Sequence, residues 1–163
     1  MSRTRIKICG LTSLDDAQLA VDLGADAVGF VFWPASPRYI TFERAGLIVA
    51  ALPRCVTAVG VFVNQPPDQI RRVVDEVGLG AVQLHGDEPA GDWTAMTCQT
   101  IKAVGIDEAF DAASLMAWPS TVMPLLDVVD PERRGGTGKS IDWTRAAAAA
   151  KNRRVVLAGG LRP

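Results

Sequence analysis

Three side chains able to exchange protons with a bound molecule fall at the ends of short apolar segments: Cys9, His85 and Asp127. A thiol, an imidazole and a carboxyl are the usual general acids and bases. Lys7, two residues before Cys9, shares its strand face and supplies a positive charge that favours a thiolate. Arg38 follows Pro34-Ala35-Ser36-Pro37 and is read as an anion-binding group or a plain surface arginine. One segment ends Gln83-Leu84-His85-Gly86, and the next carries Lys102 among these strand-end groups. Gly135-Gly136-Thr137-Gly138 and Gly159-Gly160 end two further segments, and glycine-rich turns offer backbone N–H groups to a phosphate.

Each of these residues also has a plainer reading. A single cysteine on a strand is usually a small core hydrophobe, and Cys55 and Cys98, near the amino ends of their strands, are read that way. Cys9 differs in standing at a carboxyl end, before Gly10. Asp127 follows Pro124-Leu125-Leu126. An unpartnered carboxylate buried in such a strand costs several kcal/mol, so the solvent-facing end of the strand is favoured. Gly138-Lys139-Ser140 resembles the end of a P-loop, but that motif requires glycine at position 133, which is Arg133.

The elements that position these residues alternate regularly. Strand-like runs are expected at 6–9, 27–32, 56–63, 81–84, 100–104, 122–129 and 155–158. Between them, Ser13 and Thr41 are expected to cap helices, and Pro66-Pro67-Asp68 opens a third whose stripe is Ile70, Val73, Val74 and Val77. Weaker helices are expected around 89–96 and 108–116, and another over 142–151. Gly24-Ala25-Asp26-Ala27-Val28 and Gly78-Leu79-Gly80-Ala81-Val82 echo one another, each a helix-stopping glycine feeding a buried strand. Seven strands with intervening helices imply a parallel α/β sheet, wound open or closed as a (β/α)8 barrel. In both, ligands bind at the carboxyl ends of the strands, where the polar residues fall.

Composition narrows the function classes. The 163 residues are read as one domain, 1–163. The formal net charge is −1, which argues against nucleic acid or an anionic membrane as partner. No apolar run approaches a membrane span, and the basic start, Arg3 to Lys7, leads into too few apolar residues for a signal peptide. Three cysteines and one histidine, with no Cys-x-x-Cys pair, suit neither a disulfide framework nor a zinc site. A reduced cytoplasmic protein without a metal is expected.

Seven motifs occur in order: Lys7-Ile-Cys-Gly-Leu-Thr12; Gly29-Phe-Val-Phe32 with Ser36-Pro-Arg-Tyr39; Val59-Gly-Val-Phe-Val-Asn64; Val82-Gln-Leu-His-Gly-Asp-Glu88; Leu125-Leu-Asp127; Gly135-Gly-Thr-Gly138 with Asp142-Trp143; and Leu157-Ala-Gly-Gly-Leu161. Together they resemble the phosphoribosylanthranilate isomerases of tryptophan biosynthesis, along essentially the whole chain. The resemblance implies a cofactor-independent (β/α)8 TIM barrel. It implies conversion of N-(5′-phosphoribosyl)anthranilate into 1-(2-carboxyphenylamino)-1-deoxyribulose 5-phosphate, an Amadori rearrangement. Asp127 would be the general acid and Cys9 the general base. Lys7, Arg38, Gln83 and His85 would contact substrate, and Gly135, Gly136, Thr137, Gly138, Gly159 and Gly160 the phosphate. On this reading Asp127 needs a raised pKa to act as an acid. The partner is a small phosphorylated substrate, and the assembly a monomer or homodimer. The family's barrel has an eighth strand and helix, and this chain is expected to lack that unit. Two alternatives stay open: a barrel like indole-glycerol-phosphate synthase, and a non-catalytic remnant that still binds a phosphorylated ligand. The thiol motif and the Asp127 strand with its glycine loop favour the isomerase.

Overall fold

Why each helix starts where it does is a matter of single side chains. The computed structural model describes residues 3–128 and 141–161. Ser13 caps α1 (Leu14–Asp22), its hydroxyl accepting from the Asp16 N–H at 3.2 Å. Thr41 caps α2 (Phe42–Ala51) by accepting from the Arg44 N–H at 3.3 Å. Each such cap stabilises its helix by about 1 kcal/mol. Helix α3 (Pro67–Val77) begins on proline and ends at Gly78, whose φ of 78° is left-handed. It buries Ile70, Val73, Val74 and Val77, the expected stripe. On α1 the packed face carries Ala17 and Ala20, buried, with Val21 partly buried against the same core, while Leu14 at the start of the helix is exposed.

Two elements are shorter than the sequence pattern suggests. Helix α4 is only Ala90–Trp93 and buries nothing, since Pro89 and Gly91 leave it no apolar stripe. The helix expected over 108–116 is a 3₁₀ helix, Ala112–Ala117, capped by Asp111. Pro119 disfavours helical geometry at Trp118, leaving too few residues for α turns. The last described helix is α5 (Trp143–Asn152), capped by Asp142.

The strands are β1 (Lys7–Cys9), β2 (Ala27–Val31), β3 (Thr57–Phe62), β4 (Ala81–Leu84), β5 (Gln99–Ile106), β6 (Val122–Val128) and β7 (Val156–Leu157). All pair in parallel and in chain order. Among the described residues β1 pairs only with β2, and β7 only with β6.

The two faces of the sheet separate cleanly. Val28, Phe30, Phe62, Val82 and Leu84 pack outward with Ile48, Ile70 and Val74 from the helices. Ile106 and Leu126 do the same with Leu115, Ala146 and Ala149. Fully burying one such large side chain stabilises the fold by about 1.5–3 kcal/mol. The inner face is a separate, smaller cluster of Val59, Ala81, Ile101 and Leu125, with Ala27, Met123 and Val156 packed on it. Residues from β2 through β7 meet there, which requires the sheet to curl toward its inner face. By strand alternation, Lys7, Cys9, Gln83, His85 and Asp127 belong to that inner face.

Candidate active site

Cys9 is the last residue of β1 and pairs in register with Gly29 of β2. The absence of a side chain at Gly29 is what admits the thiol, because a Cβ there would stand 2.7 Å from Cys9 Sγ. Beyond Cys9 the chain turns at Gly10, whose φ of 85° is left-handed, and whose N–H donates to the Gly29 carbonyl at 2.9 Å. Arg38 lies over this turn. A Cβ on Gly10 would meet Arg38 Cδ at 2.6 Å, so both the backbone angle and the close approach call for glycine. The Arg38 side chain is itself exposed and free to meet a ligand.

Across the inner face, Asp127 sits near the end of β6, 8% exposed. Its Oδ1 accepts from the Val128 N–H at 2.8 Å, and its Oδ2 lies 3.4 Å from Nε2 of His85. Strand β5 runs between them. Strands in a sheet are spaced about 4.8 Å apart, so contact across an intervening strand needs that strand to be nearly bare on this face. It is: the inner positions of β5 at this level are Ala103 and Gly105, and Gly105 is the register partner of Asp127. His85 is oriented from below by Gln83, whose Nε2 is 2.8 Å from its Nδ1. Gln83 is 3% exposed, and its Oε1 has no hydrogen-bond partner among the described residues. A buried acceptor left so costs about 1–3 kcal/mol.

Burial pushes the Asp127 carboxyl upward. Hydrogen bonds from His85 and the Val128 N–H, with the positive charges of His85 and Arg38, outweigh it and hold the group below the usual carboxylate range. That is the balance in the ligand-free site; the raised value that the isomerase reading asks of the acid concerns the site with substrate bound. Arg38 thus joins the two sides of the mouth: it covers the turn after Cys9, and its charge reaches Asp127.

The remaining candidates divide. Lys7 is half-buried, two residues below Cys9 on the inner face. Gly159 and Gly160 close β7 with left-handed φ values of 84° and 62°. Gly159 abuts the carboxylate, since a Cβ there would lie 2.9 Å from Asp127 Oδ1. Gly135, Gly136, Thr137 and Gly138 lie outside the described residues. Cys55 is exposed, while Cys98 is half-buried and burial raises its thiol pKa.

Lys102, counted among the strand-end groups, points away from the mouth to the outer face. Its Nζ is 2.9 Å from Glu88 Oε2 and donates to the Gly86 carbonyl at 2.6 Å. Glu88, buried, also accepts from the N–H groups of Asn64 at 2.9 Å and Gly86 at 3.0 Å. Asn64, held at a left-handed φ of 57°, accepts from the Asp87 N–H at 2.7 Å. This knot fixes the turn after His85. Sequence reasoning missed it, although an acid two residues past Gly86 beside a buried lysine strand was a legible hint.

A curled parallel sheet in chain order, with polar groups gathered at its carboxyl ends, defines the class: an enzyme of the α/β-barrel type. The N-(5'phosphoribosyl)anthranilate (PRA) isomerase family profile matches residues 6–163. An N-(5'-phosphoribosyl)anthranilate isomerase of Citrifermentans bemidjiense is 45% identical over 160 residues, covering 98% of this chain and 77% of the relative. The crystal structure of phosphoribosyl anthranilate isomerase from Thermotoga maritima matches with a TM-score of 0.88 at 42% identity, over 98% of this chain and 78% of that one. A crystal structure of the isomerase in complex with reduced 1-(o-carboxyphenylamino)-1-deoxyribulose 5-phosphate matches at 41% identity with a TM-score of 0.84, over 98% of this chain and 77% of that one. The chain belongs to the N-(5'-phosphoribosyl)anthranilate isomerase family.

Proposed function

We propose that this chain rearranges N-(5′-phosphoribosyl)anthranilate to 1-(2-carboxyphenylamino)-1-deoxyribulose 5-phosphate, with Asp127 as general acid and Cys9 as general base. The observation that carries the reading is that one face of the sheet holds both groups at its carboxyl end, the Cys9 thiol seated against Gly29 and the Asp127 carboxylate beside His85. Asp127 delivers a proton to the furanose ring oxygen, the ring opens, and a protonated Schiff base remains. Cys9, as thiolate, takes the proton from C2′ of the sugar. The resulting enol-amine tautomerises to the ketone, moving one proton from the C2′ hydroxyl to C1′. Asp127 ends one proton short and Cys9 one proton richer, and exchange with solvent resets both.

The charges supply what the acid needs. Asp127 is biased toward the anion in the free site, and the substrate brings a carboxylate and a phosphate. Arg38 pairs with the anthranilate carboxylate and so ceases to stabilise the Asp127 anion. The N–H groups at Gly159 and Gly160 receive the phosphate, as would those of Gly135, Gly136 and Gly138. Lys7 favours the thiolate from below. The three free cysteines suit the reduced cytoplasm, and the reading leaves the enzyme a monomer or homodimer.

The test is turnover of the full chain, followed by loss of substrate fluorescence. Cys9→Ala and Asp127→Asn should each lower kcat by about 10²–10⁴-fold, as expected for a lost proton-transfer group. Near-normal turnover in either variant would remove that residue from the mechanism.

A further inference from the structure

The Gln83 amide, which the family resemblance sets among the substrate contacts, also lies against His85; it is the most deeply buried polar side chain beneath the mouth, and its Oε1 has no hydrogen-bond partner among the described residues. The geometry points to Gln83 as a positioning residue: it fixes the tautomer of His85, so that the imidazole always presents its Nε2 proton to Asp127. This rests on Asp127 being the acid, and concerns how that acid is held.

The argument starts from the ring. A neutral imidazole carries one proton, and which nitrogen bears it is decided by what the other nitrogen meets. Nδ1 of His85 is 2.8 Å from Gln83 Nε2, an atom that only donates. The other side of the ring agrees: Asp127 Oδ2, 3.4 Å from Nε2, only accepts and so asks for the proton on Nε2, and the two contacts together leave Nδ1 the bare nitrogen. The orphaned Gln83 Oε1 then has a use. When the ring gains a second proton, Nδ1 becomes a donor and needs an acceptor. The terminal torsion of a glutamine is broad and roughly two-fold, so turning the amide presents Oε1 to Nδ1–H. One buried amide thus serves both protonation states of the ring, and in each the Nε2 proton stays toward Asp127 Oδ2.

The ionisable groups facing this pair are Asp127 from β6, Arg38 from the turn after β2, and Cys9 and Lys7 from the inner face of β1. Glu88 and Lys102 are paired with each other on the outer side of β4 and β5. Gln83 is the protein group placed against Nδ1, so a change at position 83 acts on the ring first.

The chain contains one histidine, so its imidazole nitrogen resonances need no assignment. In the unmodified full chain, nitrogen-15 spectra of the neutral ring should show the proton on Nε2, with a scalar coupling from the Gln83 amide nitrogen to Nδ1. A proton on Nδ1 in the neutral ring would overturn the proposal without any variant or activity assay. Gln83→Glu, of nearly the same size, offers only an acceptor. It should move the neutral ring's proton to Nδ1 and displace the pH–kcat profile by about one pH unit. An unchanged tautomer would refute the inference. Gln83→Met should lower kcat about tenfold with KM nearly unchanged, since the ring is left free to drift by a fraction of an ångström. Wild-type kcat and pH profile in folded Gln83→Met would also refute it. Failure of Asp127 as the acid would appear instead as an active Asp127→Asn, leaving the tautomer result standing.

Discussion

Gly29→Ala adds one methyl group and tests the thiol's placement directly. Gly29 pairs in register with Cys9 across β1 and β2. The new Cβ would stand 2.7 Å from Cys9 Sγ, 3.3 Å from Cys9 Cβ and 3.2 Å from Cys9 Cα. Non-bonded carbon contacts relax at about 3.5–4.0 Å, so the sulfur must give way by about 1 Å. Rotating the cysteine relieves only the Sγ contact, and the contact to Cα requires the strand itself to shift. A misplacement of about 1 Å at a reacting group costs about 10²-fold in rate, equivalent to about 2.7 kcal/mol of barrier. Overpacking should also lower stability by about 1–3 kcal/mol. The assay is kcat by substrate fluorescence, beside a urea melt. Gly46→Ala is the control: it lies in α2, its new Cβ would find nothing nearer than 3.9 Å, and it should gain up to about 1 kcal/mol with kcat unchanged. If Gly29→Ala turns over within about threefold of the parent, the thiol at the end of β1 is not the base.

Two further outcomes follow from charges already described. The folded-state pKa of Asp127 lies below its unfolded value, so ionised Asp127 stabilises the fold above about pH 4 and loses that contribution as pH falls through the folded value. The stability gap between the parent and Asp127→Asn, read from melting curves between pH 7 and pH 3, should therefore close toward acid; a gap independent of pH would contradict this. Breaking the buried pair behind the His85 turn with Lys102→Met should cost about 3–5 kcal/mol by stranding the Glu88 charge, and adding Glu88→Gln, whose amide oxygen can still accept from the Asn64 and Gly86 N–H groups, should restore part of it. Urea melts of the parent and the two variants measure this, and equal losses in the single and double variants would count against it.

Helix α3 could be read almost residue by residue, because proline, stripe and terminal glycine all point the same way. The number of strands was legible too, but alternation left an open sheet and a barrel both standing, and only the family resemblance implied the chain-order pairing seen. What could not be read was anything set by distance across the sheet. Asp127 and His85 are 42 positions apart, and their contact depends on Ala103 and Gly105 leaving β5 bare, which alternation alone does not reveal. The neighbours that hold Asp127 below the usual carboxylate range in the ligand-free site are set by the same distances. Lys102 was misplaced because one residue of register separates the inner from the outer face.

The pairing of each strand with its immediate predecessor has a consequence for how the molecule comes into being. A sheet of this order grows by one strand at a time, so it can assemble from the amino end while the ribosome is still at work. At about 5–20 residues per second, Asp127 is synthesised roughly 6–24 s after Cys9. For that interval a nascent chain owns its thiol and its guanidinium but no acid, and the inner wall of the cup stands unfinished. Any chaperone that attends this protein would meet a growing open edge, moving from β2 to β6, rather than a fixed patch.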